Sequence, residues 1–327
     1  MVKKFRVGID SYSLKPLELG PFELLDWAMI NEAEGVQFSE LPSQADDKTF
    51  LRELSQYAAQ NGLYLEWGGG EHIPFDMATG KTKDVAAVNL KAAEQAAIMG
   101  LRTVRSCSGG LMRWKKDSPP TETFLKAMAK SLRLQRHMLE DHGVCLAIET
   151  HFEFTTFELL RLFEMCEAAP GGTLGICLDT MNLLTMLEEP VAGTRRVLPW
   201  IVTTHIKDGA ILLTREGLLS FTAEAGKGLI DFRQIFEELS VLEHEVNLSI
   251  EDHGGDFLIP IFDPGFRAKF PDLTVEELCS LLEIAADARE LVDQGALAIL
   301  DRARWPGICE RRVKRDLKAI QRILEAE

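Results

Sequence analysis

The chain has 327 residues, of which 46% are hydrophobic and 27% charged, so it can bury a large core and is not a disordered protein. Its 51 acidic and 36 basic residues give a net charge of −15, which repels phosphate backbones, and no nucleic-acid partner is expected. No apolar run reaches the roughly 18 residues of a membrane span, so no membrane association is expected either.

Six cysteines are scattered along the chain without any CxxC pair: Cys107, Cys145, Cys166, Cys177, Cys279 and Cys309. In a chain of this size such thiols are typical of a reduced core rather than of a disulfide framework. The N-terminal residues also lack the apolar core and small-residue cleavage site of a signal peptide. These features predict a cytoplasmic protein.

Short apolar or alternating runs recur roughly every 30 residues, the spacing of a βα unit, and each is followed by an amphipathic helical stretch. Eight runs are predicted to be strands: Phe5–Ile9, Gly35–Phe38, Leu63–Trp67, Thr103–Ser106, Val144–Ile148, Leu174–Leu178, Ile201–Ile206 and Val246–Ile250. The pattern predicts an α/β protein with a closed (β/α)8 TIM barrel. An open doubly wound sheet fits less well, because the chain contains no GxGxxG fingerprint.

No change in composition divides the chain, so residues 1–327 are predicted to form a single barrel domain. The loop after the eighth strand, from Asp252 to Pro264, is extended, and we interpret it as a lid or a subunit contact. A C-terminal helix is appended, with Val313, Leu317 and Ile320 on one face. Because such additions often serve assembly, we expect a homo-oligomer or a complex with a second subunit.

Strands five to eight each end in a side chain that can bind a metal ion: Glu149, Asp179, His205 and Glu251. Period-two alternation puts each of them on the strand face that carries small or polar residues, which points into a barrel. Barrel enzymes build their sites at these carboxyl ends. The four side chains are therefore predicted to converge on the barrel axis.

Three carboxylates and one imidazole in one place need a compensating cation. A mostly oxygen donor set favours one divalent metal ion, Mn²⁺ or Mg²⁺, although Co²⁺ or Zn²⁺ would also be accepted. A lone acidic residue at a strand end is more often a hydrogen-bonding or capping group. Four such residues on consecutive strands favour the metal interpretation.

The strand ends read Ala-Ile-Glu149-Thr-His, Cys-Leu-Asp179-Thr-Met-Asn182, Thr-His205-Ile-Lys207-Asp208 and Ser-Ile-Glu251-Asp. In these phrases the chain resembles the xylose-isomerase-like TIM-barrel superfamily, over nearly its whole length. That superfamily contains sugar isomerases and epimerases, AP-endonuclease-type barrels such as endonuclease IV, and lyases that act on oxidised sugars. The resemblance implies that Glu149, Asp179, His205 and Glu251 hold one divalent metal ion. Endonuclease IV is set aside, because its three-zinc site needs many histidines and this acidic chain has seven.

One position departs from the epimerase pattern. Sugar epimerases of this superfamily usually carry a substrate-holding histidine three residues after the strand-six aspartate, where this chain has Asn182. An amide can hydrogen-bond a hydroxyl but does not titrate near neutral pH. In Asn182 and in its long segment after strand eight, the chain resembles one branch of the superfamily. That branch contains 3-oxo-glycoside lyases (similar to C-glycoside deglycosidases) and oxo-sugar-acid decarboxylases.

Other residues each have a functional and a structural interpretation. His151 shares the inward parity of Glu149 and is either a general base or a solvated loop histidine. Lys207 either stabilises an oxyanion or pairs with a carboxylate such as Asp208. Four further residues are candidates for substrate binding, with barrel packing or an ordinary loop as the alternative: Trp67, Glu71, His72 and His253.

The function predicted from these features is removal of a proton beside the carbonyl of an oxo-sugar, to give an enediolate stabilised by the metal ion. Asn182 and the long segment favour a lyase, with His151 as the base for an elimination. The alternative is an isomerase or epimerase in which Glu149 and Glu251 act as the acid–base pair. A non-catalytic sugar-binding or partner subunit is a remote third interpretation. The only small-molecule partner expected is a sugar-derived substrate.

Overall fold

The computed structural model describes residues 4–76 and 79–326. Eight parallel strands close into a barrel: β1 (Phe5–Asp10), β2 (Gly35–Phe38), β3 (Tyr64–Gly70), β4 (Thr103–Ser106), β5 (Cys145–Glu149), β6 (Leu174–Asp179), β7 (Ile201–Ile206) and β10 (Val246–Ile250). The predicted TIM barrel is therefore confirmed. The predicted strand boundaries differ from the observed ones by one residue at most, except at β3, which continues through the glycines to Gly70.

Helices surround the barrel between its strands. They are α1 (Pro21–Ile30), α2 (Lys48–Gln60), α3 (Val85–Ile98), α4 (Thr121–His142), α5 (Thr156–Met165), α6 (Asn182–Thr185), α7 (Pro190–Val197), α8 (Phe232–Ser240), α9 (Pro264–Arg267), α10 (Val275–Asp293) and α11 (Cys309–Glu325). Within residues 4–76 and 79–326, none of them has the length and apolar character needed to cross a bilayer.

A capping box fixes the loop between β5 and α5. The Thr155 hydroxyl accepts the N–H of Glu158 at 3.3 Å, and the Glu158 carboxylate accepts the N–H of Thr155 at 2.9 Å. The backbone N–H groups of Thr155 and Glu158, which have no partner within the helix, are thereby hydrogen-bonded. Only six residues separate Glu149 from α5, so the loop that carries His151 is short and tied down at both ends.

A small antiparallel sheet, which the sequence analysis did not predict, covers one side of the barrel mouth. It consists of β8 (Asp208–Leu213), β9 (Leu218–Ala223) and β11 (Asp256–Ile259) in the order β11-β9-β8. The expectation that a helix directly follows strand seven was wrong. The chain instead turns at Thr214, whose N–H donates to the carbonyl of Gly217 at 2.8 Å, and makes a hairpin first.

The segment after β10 is thus partly ordered as β11, because it pairs with β9 rather than running free. Its interpretation as a lid or a subunit contact stays a prediction. The appended helix α11 packs against β1 and the segment Ser11–Leu17, with Val313, Leu317 and Ile320 buried.

Candidate active site

The carboxyl ends of β5, β6, β7 and β10 bring Glu149, Asp179, His205 and Glu251 together; we call these four residues the tetrad. One ligating atom from each lies within 4.8 Å of the others, and all four residues are buried. Nδ1 of His205 lies 3.4 Å from Oε1 of Glu149 and 3.7 Å from Oε2 of Glu251. The register of the parallel strands, in which Asp179 lies beside His205, produces this convergence.

The tetrad fits a divalent cation on two observations. Nδ1 of His205 is buried and has no hydrogen-bond partner in the described part of the chain, although buried polar atoms are normally paired. Asp10 is also close, with its Oδ2 at 3.6 Å from Nε2 of His205. Four carboxylates therefore face two permanent cations, Arg105 and Lys207. The site thus has two more carboxylates than permanent cations. One dication beside a neutral imidazole would balance that excess, and the oxygen-rich donor set suits Mn²⁺ or Mg²⁺.

Arg105 and Lys207 hold the carboxylates of the tetrad from opposite sides. Arg105 donates to Oε2 of Glu149, and Nζ of Lys207 lies 2.8 Å from Oδ2 of Asp179 and pairs with Oε2 of Glu251. Burial alone would raise the pKa of Glu149, but the Arg105 guanidinium beside it holds that pKa well below its usual range. Burial would lower the pKa of Lys207, but Asp179 and Glu251 raise it. The ion pairs therefore keep Glu149 and Lys207 charged.

The second interpretation of Lys207, a pair with a carboxylate, matches the contacts, but its partners are Asp179 and Glu251 and not Asp208. Asp208 instead accepts the backbone N–H groups of Gly209, Gly226 and Gly228 at 2.7–2.9 Å. Lys207 faces the tetrad instead, and it also lines the cavity above it.

His151 lines the same cavity and is held by a buried carboxylate. Its Nδ1 lies 2.8 Å from Oε2 of Glu153, whose Oε1 accepts the N–H of Gly110 at 2.9 Å. Burial alone would lower the pKa of His151, but Glu153 raises it to about 9. An imidazole oriented by a carboxylate in this way has the arrangement of a general acid–base group.

The tetrad opens into a cavity of about 640 Å³, a size suited to a small molecule. Its lining combines charged, polar and aromatic side chains, among them Arg105, His151, Phe152, Asn182, Lys207, Thr222, His253 and Phe257. Asn182 is 1% exposed, and neither its Oδ1 nor its Nδ2 has a partner within residues 4–76 and 79–326. Oγ1 of Thr222 is likewise buried and unpaired there. Such groups can bind the hydroxyls of a ligand.

Of the other residues considered for substrate binding, His253 lies in the cavity wall but Trp67 does not. Trp67 is fully buried, and its Nε1 donates to Oε1 of Gln95 on α3 at 3.0 Å. The indole therefore packs between the barrel and a helix. Its structural interpretation fits the contacts, and the substrate-wall interpretation does not.

Glu71 and His72 also lie away from the cavity lining. Glu71 pairs with Lys83, and the fully buried His72 has its Nδ1 2.9 Å from Oγ of Ser106. Burial lowers the pKa of His72 to about 4, so this imidazole is neutral. The glycines before these residues extend β3 instead of forming a loop over the substrate.

Among the residues that the structure brings to the site, Arg105, Glu153 and Gln37 were not predicted from the sequence. Arg105 and Gln37 lie inside short apolar strands, where a charged or amide side chain is itself unusual and was a usable signal. Glu153 gave no comparable signal, because its role depends on the fold of the loop that places it beside His151.

Comparison with known proteins identifies the type of barrel. The model of the xylose isomerase-like TIM barrel family matches residues 26–273. Among curated relatives, the 3-oxo-isoapionate decarboxylase of Pectobacterium atrosepticum is 26% identical over 236 residues, which cover 71% of this chain and 72% of that protein.

Solved structures give the same architecture. A D-psicose 3-epimerase from Clostridium cellulolyticum H10 matches with a TM-score of 0.60 at 12% identity, covering 98% of this chain and 99% of that one. An L-ribulose 3-epimerase matches with a TM-score of 0.58 at 19% identity, covering 89% of this chain and 95% of that one. At these identities the likeness concerns the fold alone.

Proposed function

This chain belongs to the xylose isomerase-like TIM barrel family, which includes sugar-processing enzymes, and on that premise we propose that it is a metal-dependent lyase acting on a 3-oxo derivative of a sugar. The reaction would be a decarboxylation or an elimination beside the oxo group, through an enolate. The similarity to a 3-oxo-isoapionate decarboxylase supports the decarboxylation form.

The observation that carries this proposal is the pairing of two glutamates with fixed cations. Two-base epimerisation needs Glu149 and Glu251 to exchange protons with a substrate carbon. Arg105 donates to Glu149, and Lys207 pairs with Glu251. A carboxylate that accepts from a cation is a weak base. The same cations can stabilise negative charge that develops on an oxo group, which is what a lyase requires.

The remaining side chains have complementary tasks in such a reaction. The tetrad would hold the metal ion, which supplies Lewis-acid polarisation of the substrate's oxo group. Lys207 would donate a hydrogen bond to the enolate oxygen, since its ammonium lines the cavity beside the tetrad. Asn182 and Thr222, which are unpaired, would bind substrate hydroxyls and so orient the bond that breaks.

The movement of protons and electrons involves His151. In a decarboxylation the bond to the carboxylate carbon breaks, CO₂ leaves, and the electron pair moves onto the oxo group. His151 then returns a proton to the substrate carbon. In an elimination His151 must first lose its own proton, because its pKa of about 9 keeps it protonated near neutral pH. It then removes the proton beside the oxo group, and the electron pair of the enolate expels the leaving group from the next carbon. Glu153 holds the ring in place for either step.

The second candidate is a sugar isomerase or epimerase. It is favoured by the position of Glu149 and Glu251, whose oxygens lie 3.4 and 3.7 Å from the same imidazole nitrogen of His205. Two carboxylates that flank one point could take and return a proton on opposite sides of a substrate. This candidate requires the ion pairs with Arg105 and Lys207 to open when substrate binds.

Mass spectrometry of products formed in D₂O distinguishes the two candidates. The protein is incubated in the presence of Mn²⁺ with one substrate class at a time: 3-oxo sugar acids, 3-oxo-glycosides or simple ketoses. The Asp179→Asn variant is the inactive control. Loss of CO₂, water or an aglycone supports the lyase. Deuterium incorporation without loss of mass supports the epimerase and contradicts the lyase. No change with any substrate, in a protein that also binds no Mn²⁺, contradicts both.

A further inference from the structure

Inside the barrel, beneath the tetrad, a layer of buried polar side chains ends at the imidazole of His205. Nε2 of His205 is hydrogen-bonded to Oε1 of Gln37 on β2. Nε2 of Gln37 lies 2.6 Å from Oε2 of Glu66 on β3. Thr203 donates to the same Glu66 oxygen at 2.6 Å, and Asn247 donates to Oε1 at 2.8 Å. Gln37 and Glu66 are almost fully buried, so solvent does not compete with these bonds.

Glu66 determines which way the Gln37 amide faces. A carboxylate accepts hydrogen bonds, so the NH₂ group of Gln37 must point at Glu66 and its carbonyl at His205. The carbonyl can only accept, and Nε2 of His205 must therefore carry a proton. Nδ1 is then the nitrogen whose lone pair is available to a metal ion, and it is the nitrogen that faces the carboxylates of the tetrad.

Asp10 is a second acceptor near Nε2, but it does not replace Gln37. Its Oδ2 lies 3.6 Å from Nε2 of His205, beyond hydrogen-bond distance. Its oxygens accept instead from the hydroxyl of Ser39 and from the N–H of Tyr12. Gln37 therefore makes the direct contact that orients the imidazole.

We propose that Gln37, set by Glu66, is a positioning residue for the metal centre: it fixes His205 in the tautomer protonated at Nε2 and holds Nδ1 among the carboxylates of the tetrad. The inference rests on the proposed function, because it takes His205 to be a metal ligand. Loss of a hydrogen bond of this kind typically weakens metal binding by about 10–100-fold.

The test compares Mn²⁺ binding by the wild type, Gln37→Leu and Gln95→Leu, measured from the electron paramagnetic resonance signal of free Mn²⁺. Gln37→Leu removes the acceptor for Nε2, and its Kd for Mn²⁺ should rise about 10–100-fold. Gln95 is a matched buried amide, which bonds Trp67 and the carbonyl of Ala45 outside the barrel. Gln95→Leu should therefore keep the wild-type affinity.

Glu66→Gln provides a second variant with nearly the same shape, in case Gln37→Leu folds poorly. An amide at position 66 can donate or accept, so both orientations of the Gln37 amide become satisfied. His205 is then less strictly oriented, and the Kd for Mn²⁺ should rise several-fold.

Nuclear magnetic resonance of protein with ¹⁵N-labelled histidine, loaded with Mg²⁺, gives a readout that general destabilisation would not change. The Nε2-bound proton of His205 should give a downfield, slowly exchanging signal in the wild type and in Gln95→Leu. Gln37→Leu should lose both properties, because the proton no longer has a buried acceptor.

Two results would overturn the inference. One is Mn²⁺ binding by Gln37→Leu and Glu66→Gln that is as tight as that of the wild type. The other is equal weakening by Gln95→Leu, because loss of packing would then explain the effect. A wild type that binds neither Mn²⁺ nor Mg²⁺ contradicts the proposed function instead, and the two failures are told apart by whether the unmodified protein binds.

Discussion

Two buried ionic clusters in this molecule contain more carboxylates than cations, and they differ in how the excess can be balanced. The axial cluster at the barrel mouth consists of the tetrad with Asp10, Arg105 and Lys207. The wall cluster lies between helices α5, α7 and α10 and consists of Thr156, Glu188, Arg196 and Glu277. In the wall cluster Arg196 bonds Glu188 at 2.7 Å and Glu277 at 2.6 Å, and Thr156 donates its N–H to Glu188 at 2.9 Å.

The difference lies in what remains unpaired. In the wall cluster every buried side-chain oxygen and nitrogen has a partner, whereas in the axial cluster Nδ1 of His205 has none among the described residues. Two carboxylates share one cation in the wall cluster, so one proton balances it. Four carboxylates face two cations in the axial cluster, so a dication would balance it. The wall cluster is therefore complete with its own side chains, whereas the axial cluster has donor atoms that can hold a metal ion.

Removing a carboxylate of the tetrad should have the largest effect. Glu149→Gln and Asp179→Asn each lower the negative charge that retains a dication, so we expect loss of bound metal and at least about a 10³-fold loss of activity. Metal content by mass spectrometry and circular dichroism would check this in folded protein. Glu188→Gln, the matched change in the wall cluster, should retain metal. Wild-type metal content in both tetrad variants would remove the tetrad as the binding site.

His151→Ala should separate proton transfer from metal binding. The imidazole lies outside the tetrad, so metal content should stay at the wild-type value while kcat falls by roughly 10²–10⁴. His137→Ala, at an exposed position on α4, is the control and should leave both metal content and kcat unchanged. A loss of less than about tenfold would return the acid–base role to Glu149 and Glu251 and favour the epimerase.

Arg196→Met should test the wall cluster as a purely structural element. It leaves Glu188 and Glu277 buried without their cation, which should destabilise the protein by about 3–5 kcal/mol in urea unfolding. The Mn²⁺ affinity of the folded protein should not change. Arg195→Met is the neighbouring control, because Arg195 forms an exposed pair with Glu238, and its loss should change the free energy of unfolding much less. Equal costs for the two variants would contradict a special role for the buried pair.

The stability of the wall cluster should depend on pH with a definite sign. Burial raises the pKa of Glu188 to about 7 from an unfolded value of 4.5. Because the pKa of Glu188 is higher in the folded state, its contribution to the free energy of unfolding is fully present below pH 4.5. That contribution is lost as the pH rises through 7. Between pH 5 and pH 8.5 the free energy of unfolding of Glu188→Gln should therefore rise by up to about 3 kcal/mol relative to that of the wild type. Urea unfolding at the two pH values measures this difference. Parallel stability curves for the two proteins would contradict this assignment.

The repeated strands were readable from the sequence because parallel barrel strands are buried on both faces and leave short apolar runs. Their number, order and near-exact limits followed from local pattern. The hairpin β8–β9 was missed for the opposite reason: its apolar alternation resembles the start of a helical stretch, and pairing with the distant β11 is a long-range contact that no local pattern encodes.

The side chains at the strand ends were also predictable, because a strand of known direction fixes which residue reaches the carboxyl end and parity fixes which face it occupies. These two criteria were enough to predict the positions of Glu149, Asp179, His205 and Glu251. Trp67 lies at a predicted strand end but on the other face. Its neighbour Glu66 points into the barrel, so alternation turns Trp67 outward to Gln95.

The sequence by itself therefore determined the barrel and the donor atoms of its axial site, since both follow from period-two alternation and strand direction. Only the tertiary structure decided how those donors are held. The pairs of Arg105 with Glu149, of Glu153 with His151 and of Gln37 with His205 join residues 44, 2 and 168 positions apart. Protonation and orientation depend on the atom that a side chain touches, and those contacts exist only once the strands have closed into a barrel.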